Sequence, residues 1–126
     1  MNLKTIHHIA IIGSDYTQSK NFYVNQLGFS VIRENYRPEK DDYKIDLQLK
    51  DVEIELFIIK NCPKRPNYPE AYGLRHLAFL VESVEETVRE LNDKGIKTEP
   101  IRIDPYTNKK FTFFFDPDGL PLEIHE

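Results

Sequence analysis

Apolar and polar positions alternate with period two over most of this chain, and two stretches of helical period interrupt them. Residues 5–13 read as a strand with His8, Ala10 and Ile12 on one face. Asp15 then offers an N-cap with Gln18 three residues later, so a helix is predicted from Tyr16 to Leu27. Its apolar stripe is Phe22, Tyr23 and Leu27, and Gly28 is its stop. Strands are predicted at 29–36, 43–49 and 52–60, with polar residues 37–42 turning the chain. Residues 61–72 carry Pro63, Pro66 and Pro69 and read as a linker. The order then recurs. A strand at 75–81 precedes a helix capped by Ser83 and Glu86, which turns Val84, Val88 and Leu91 inward and stops at Gly95. Strands at 96–103, 111–115 and 120–125 follow, the last two joined by the turn Asp116-Pro117-Asp118-Gly119. The pattern predicts an α+β fold of two βαβββ modules, pseudo-repeats 1–60 and 73–126 of a single domain spanning 1–126.

The repeat extends to residues that carry chemistry. His8 and His76 sit in apolar strands, as do Glu55 and Glu123. Each Glu follows its His by 47 residues, and each member of the second pair follows its counterpart by 68. Leu122 and Ile124 share one strand face, so Glu123 and His125 lie on the other, and Glu55 likewise opposes Ile54 and Leu56. A carboxylate centred in an apolar strand is expensive to bury unless something positive meets it. Repeats fix architecture, and here they single out one His and one Glu per module.

Composition narrows the classes. A chain of 126 residues is one ordinary domain, and half of that length is marginal alone, so the modules are expected to share a core. The net charge of −4 and pI of about 5.6 argue against nucleic acid as a partner. No apolar run approaches the ~20 residues a membrane span needs, and no signal-peptide pattern opens the sequence. The single cysteine, Cys62, cannot form an internal disulfide, so a cytoplasmic location is expected.

Two imidazoles and two carboxylates suit a divalent ion such as Zn, Ni, Co, Fe or Mn, and would neutralise its charge while leaving octahedral positions open. Structural zinc sites favour Cys and fill four positions, which is not this composition. A lone strand His is more often a satisfied core residue than a ligand, but the matched spacing would need two accidents with one offset. The other candidates are weaker. His7 is expected to point away from His8, His125 shares the face of Glu123 without a counterpart (Phe57 stands there in the first module), and Glu53 lies at a solvated strand start. Arg33, Arg65, Arg102, Lys109 and Lys110 can meet an anionic substrate or form a solvated basic surface.

The segments His-Ile-Ala-Ile, Ile-Glu-Leu-Phe, Arg-His-Leu-Ala-Phe and Asp-Pro-Asp-Gly-Leu-Pro-Leu-Glu-Ile resemble the vicinal-oxygen-chelate superfamily, and within it the short bacterial glyoxalase I-like (lactoylglutathione lyase-like) proteins. The resemblance covers essentially the whole chain. It implies the glyoxalase/bleomycin resistance/dioxygenase fold, with paired modules cupping a metal held by His8, Glu55, His76 and Glu123. It also implies a homodimer in which one site can draw on two subunits. The implied chemistry is detoxification of methylglyoxal as its thiol hemithioacetal, by proton transfer next to a carbonyl. Glu123 is then the implied base, and Glu55 a ligand serving the opposite substrate face. Epimerases, thiol transferases, extradiol dioxygenases and metal-free binding proteins of the bleomycin-sequestering kind share the fold and are the alternatives.

Overall fold

A computed structural model describes residues 1–126, which divide into two compact units, Met1–Pro63 and Lys64–Glu126. The first runs β1 (His8–Gly13), α1 (Tyr16–Lys20), β2 (Ser30–Arg37), β3 (Asp42–Leu49) and β4 (Val52–Ile58). The second runs β5 (Leu77–Leu80), α2 (Val84–Asp93), β6 (Arg102–Ile103), β7 (Lys110–Phe115) and β8 (Pro121–His125). Each unit builds one four-stranded mixed sheet, ordered β1-β4-β3-β2 and β5-β8-β7-β6. The first strand of each runs parallel to the last, and the remaining pairs are antiparallel. The chain therefore has the predicted α+β fold of two βαβββ modules.

The alternation seen in the sequence decides what each sheet buries. Ile54, Leu56 and Ile58 of β4 are buried with Ile45 and Leu47 of β3, and Tyr23 is fully buried in the same unit. In the second unit Leu122 and Ile124 are buried with Phe114, Val84 and Leu91. A fully buried side chain of this size contributes about 1.5–3 kcal/mol relative to exposure. These cores hold β4 and β8 with their other faces, and hence Glu55 and Glu123, turned the opposite way. Close approach is also needed where β1 ends. A Cβ at Gly13 would lie 2.5 Å from Ser19 Oγ, so only glycine lets α1 pack there.

The caps behave as their residue types require. Asp15 accepts from the Gln18 N–H at 2.8 Å and Ser83 from the Glu86 N–H at 3.2 Å. At the β7–β8 turn, Asp116 Oδ1 accepts from the amides of Asp118 and Leu120 at 2.9 and 2.8 Å. Gly119 takes the positive φ, +86°, that the turn demands.

Four elements differ from the prediction. The strand predicted at 5–13 begins only at His8, and the one at 75–81 spans only Leu77–Leu80, so His76 precedes it. The helix predicted from Tyr16 to Leu27 is α-helical only to Lys20 and continues as a π-helical turn, Asn21–Gln26. That wider turn still buries Phe22 and Tyr23. The strand predicted at 96–103 is reduced to Arg102–Ile103. Pro100 supplies no N–H for a ladder, and the preceding segment is tied to β7 by single bonds instead: Glu99 N–H to Phe113 O at 2.8 Å, and Thr112 Oγ1 to Glu99 O at 2.8 Å. No helix is long and apolar enough to cross a membrane.

Candidate metal centre

The registers of the two modules explain how each brings a histidine to a glutamate. In the parallel β1–β4 pair, Ala10 lies beside Glu55; in the β5–β8 pair, Ala78 lies beside Glu123. Each histidine stands two residues before its alanine, on the same face of the chain. The small alanine leaves room for the glutamate side chain to reach back. His8 Nε2 lies 3.4 Å from Glu55 Oε2, and His76 Nε2 lies 2.9 Å from Glu123 Oε2. The sequence-predicted ligands thus come together as two pairs, and no group of three or more His, Cys, Asp or Glu side chains converges.

Each pair has the donor chemistry and spacing of adjacent ligands on one ion. Nitrogen and oxygen donors about 2.0–2.2 Å from a divalent ion and at right angles are about 3 Å apart, and the two observed separations bracket that value. In each pair the facing atoms are imidazole Nε2 and one carboxylate oxygen. The other nitrogen of His76, Nδ1, is buried and has no hydrogen-bond partner. Its ring is oriented by packing instead, edge-on to Phe113 with centroids 5.1 Å apart. His8 is oriented differently, through a 2.9 Å contact between its Nδ1 and His7 Nδ1. His7 therefore does not point away as expected. It lies outside β1, where strict alternation no longer governs the direction of its side chain.

The surroundings of the two carboxylates are opposite in character. Asp46 stands directly across from Glu55 on β3, and Lys44 Nζ bridges the two, 2.7 Å from Asp46 Oδ1 and 2.7 Å from Glu55 Oε1. These carboxylates hold the Lys44 ammonium above the ordinary lysine range. Burial disfavours the charge on Asp46, which is 2% exposed, yet the bonds from Lys44 and Arg33 outweigh it and keep the carboxyl below its usual range. Across from Glu123 stands Phe113, and across from His125 stands Phe111. An aromatic wall thus replaces the charged network of the first module.

The remaining candidates fall into place around these pairs. His125 stacks on Phe111, donates from Nδ1 to the Glu126 carbonyl, 2.7 Å away, and lies 3.8 Å from Asp104 Oδ2. Glu53 lies beside His8 in register, while the close contact goes to Glu55. Among the basic candidates, Arg33 bonds Asp46 and Lys110 bonds Glu85. Arg65 spends its donors on Asn67 Oδ1 and the carbonyls of Leu74 and Arg75. Sequence reasoning passed over Lys44 and Asp46. Their signal was a charged residue inside the buried run Ile45-Asp46-Leu47.

The profile of the Glyoxalase/Bleomycin resistance protein/Dioxygenase superfamily matches residues 5–124. The chain belongs to this superfamily. Among other members, it is 61% identical to the uncharacterized protein YwkD of Bacillus subtilis, with 100% of this chain and 99% of the relative covered. It is 30% identical to the metallothiol transferase FosB of Staphylococcus saprophyticus over 98% of this chain and 77% of that protein. The crystal structure of a glyoxalase family protein from Enterococcus faecalis superposes with a TM-score of 0.96, at 62% identity and full coverage of both chains.

Proposed function

We propose that this superfamily member is a metal-dependent, glyoxalase I-like lyase acting on a 2-oxoaldehyde–thiol hemithioacetal. His8, Glu55, His76 and Glu123 would hold one divalent ion. The observation that carries the reading is the pair of equivalent His–Glu contacts, built by the same register in both modules. Bound there, the ion would supply Lewis acidity to the oxygens of the substrate. The chain itself supplies proton transfer. A carboxylate oxygen takes the proton from the carbon bearing sulfur and returns it to the neighbouring carbon, giving the thioester of a 2-hydroxy acid. Glu123 suits that task. It meets one partner, His76, through Oε2, and Oε1 remains for the substrate proton. In Glu55 the ammonium of Lys44 already engages one oxygen.

A complete ligand set needs a pair from each module, drawn from one chain or from two. The faces of β1 and β5 that carry the pairs expose Ile12 (52%) and Leu80 (86%), apolar surface suited to a homodimer contact. Two experiments test the site. Elemental analysis should find about one divalent metal per site in the purified protein, and His8→Ala or His76→Ala should lower occupancy strongly. Equal metal content in all three proteins would reject the site. If sites are shared between subunits, co-expressing the two variants should restore some metal in mixed dimers. Proven mixed dimers without recovery would place both pairs of each site in one chain.

The likeness to FosB supports a second reading, metal-assisted addition of a thiol to a small electrophile. A fourth protein donor at Glu55 favours the lyase, because it leaves fewer open positions. Assays of isomerisation and of thiol addition, run with the same thiols on the same preparation, separate the two.

A further inference from the structure

The second unit contains a cavity of about 480 Å³ that opens beside His76. Arg65, Arg75 and Arg102 line it together with only two carboxylates, Glu70 and Glu99. An excess of positive charge is conspicuous in a chain whose net charge is −4. The three guanidiniums are not equivalent. Arg65 is committed to backbone carbonyls and Asn67, which fixes the segment it belongs to. Arg75 pairs with Glu70 at 2.9 Å, and both side chains are more than half exposed. Arg102 differs from both. Its guanidinium carbon sits 5.2 Å from the ring centre of Phe113 and 5.4 Å from that of Phe111. Its charged partner is Glu99, three residues away and 40% exposed.

We propose that this cavity recognises the oxyanion of a small organic acid, and that Arg102 is the residue that selects for it. A guanidinium offers five donors in a rigid fork suited to a carboxylate, and contact with two aromatic rings holds it in position before a ligand arrives. The bond to Glu99 is an exposed pair between near neighbours, a class that contributes little. A ligand oxyanion can therefore take its place at small cost. The ring of Phe113 ties this end of the cavity to the other, because His76 packs on the same ring at 5.1 Å. Arg102 and His76 are thus no further apart than those two ring distances laid end to end. An acid long enough to span that separation, held at Arg102, would bring its far end to the His76–Glu123 pair. That last step rests on the metal-dependent reading proposed above; the anion site itself does not.

The test uses the full chain, as purified and again after dialysis against a chelator, labelled with ¹⁵N to follow arginine Nε–H resonances. Propionate, inorganic phosphate and neutral propionamide are the probes. Propionate should shift the Arg102 resonance saturably, with a Kd on the order of 1 mM, and propionamide should not. Arg102→Gln should weaken propionate by about tenfold or more, Arg102→Lys by less, and Glu99→Gln should tighten it. Stronger binding of phosphate than of propionate would identify a phosphoryl group as the natural anion and still support the site. Equal binding of propionamide, no saturation by either anion, or an equal loss in Arg75→Gln would overturn it. Binding that disappears on chelation and returns with metal would place the anion on the metal, overturning the inference while supporting the metal reading. Binding kept in both preparations that prove to contain no metal would do the reverse.

Discussion

Glu123→Gln is expected to give folded, metal-loaded protein whose turnover on a hemithioacetal falls by about 10²–10⁴-fold, the range associated with loss of a general base. The substitution keeps a neutral oxygen donor and nearly the same volume but removes the proton acceptor. The structure gives reasons to expect the larger effect here than at Glu55. Glu123 is 8% exposed on β8, with Phe113 directly across. A substrate carbon brought there meets a carboxylate in aromatic surroundings, where little water competes for the proton. Glu55 instead shares Lys44 with Asp46, an arrangement suited to holding charge in place. Glu55→Gln should therefore act mainly by weakening metal affinity, and added metal should offset much of the loss. The measurement is turnover at measured full occupancy, with solvent-deuterium incorporation at the substrate carbon. Near-normal turnover in loaded Glu123→Gln would reject the assignment, and a larger defect in Glu55→Gln would move the base there.

What was legible in the sequence was local or repeated. The caps at Asp15 and Ser83 and the turn at Asp116–Gly119 follow from residues within a few positions of one another. The His–Glu pairs were legible because the chain states them twice at one spacing, and the parallel registers Ala10–Glu55 and Ala78–Glu123 turn that spacing into contact. The network around Glu55 was not legible. It depends on which β3 residue faces Glu55, and sequence does not give the antiparallel register that puts Asp46 there. Alternation alone left Asp46 and Lys44 without partners to be read against. The shortness of β6 came from Pro100, whose cost depends on whether its position would have had to donate to β7. Arg102 was one of five basic candidates. Only the rings of Phe111 and Phe113 beneath it distinguish it from Arg33, which is bound to Asp46.

Removing the Asp46 carboxylate should cost stability by an amount that depends on pH. Asp46→Asn keeps the shape but strips the charge that Lys44 Nζ meets at 2.7 Å and that Arg33 meets from the other side. Breaking one partner of a buried ion pair costs about 3–5 kcal/mol. The lower end applies here, about 3 kcal/mol, because the Arg33 side chain is 58% exposed and its share is screened. Relief of repulsion from Glu55, directly opposite, also returns part of the loss. The sign with pH follows from the direction of the shift. Although burial opposes the charge, the bonds from Lys44 and Arg33 leave the folded carboxyl below its usual range. Its contribution is therefore fully present above the unfolded value of about 3.9 and is lost as pH falls through the lower folded value. Urea unfolding of wild type and Asp46→Asn at pH 7 should show the full difference. The gap should narrow progressively below about pH 4, as the wild-type carboxyl takes up its proton. A Lys44→Met cycle in both backgrounds should assign most of the coupling to Lys44 rather than Arg33. A stability gap of the same size at pH 7 and at pH 3 would show that Asp46 acts through hydrogen bonding and that its charge contributes nothing.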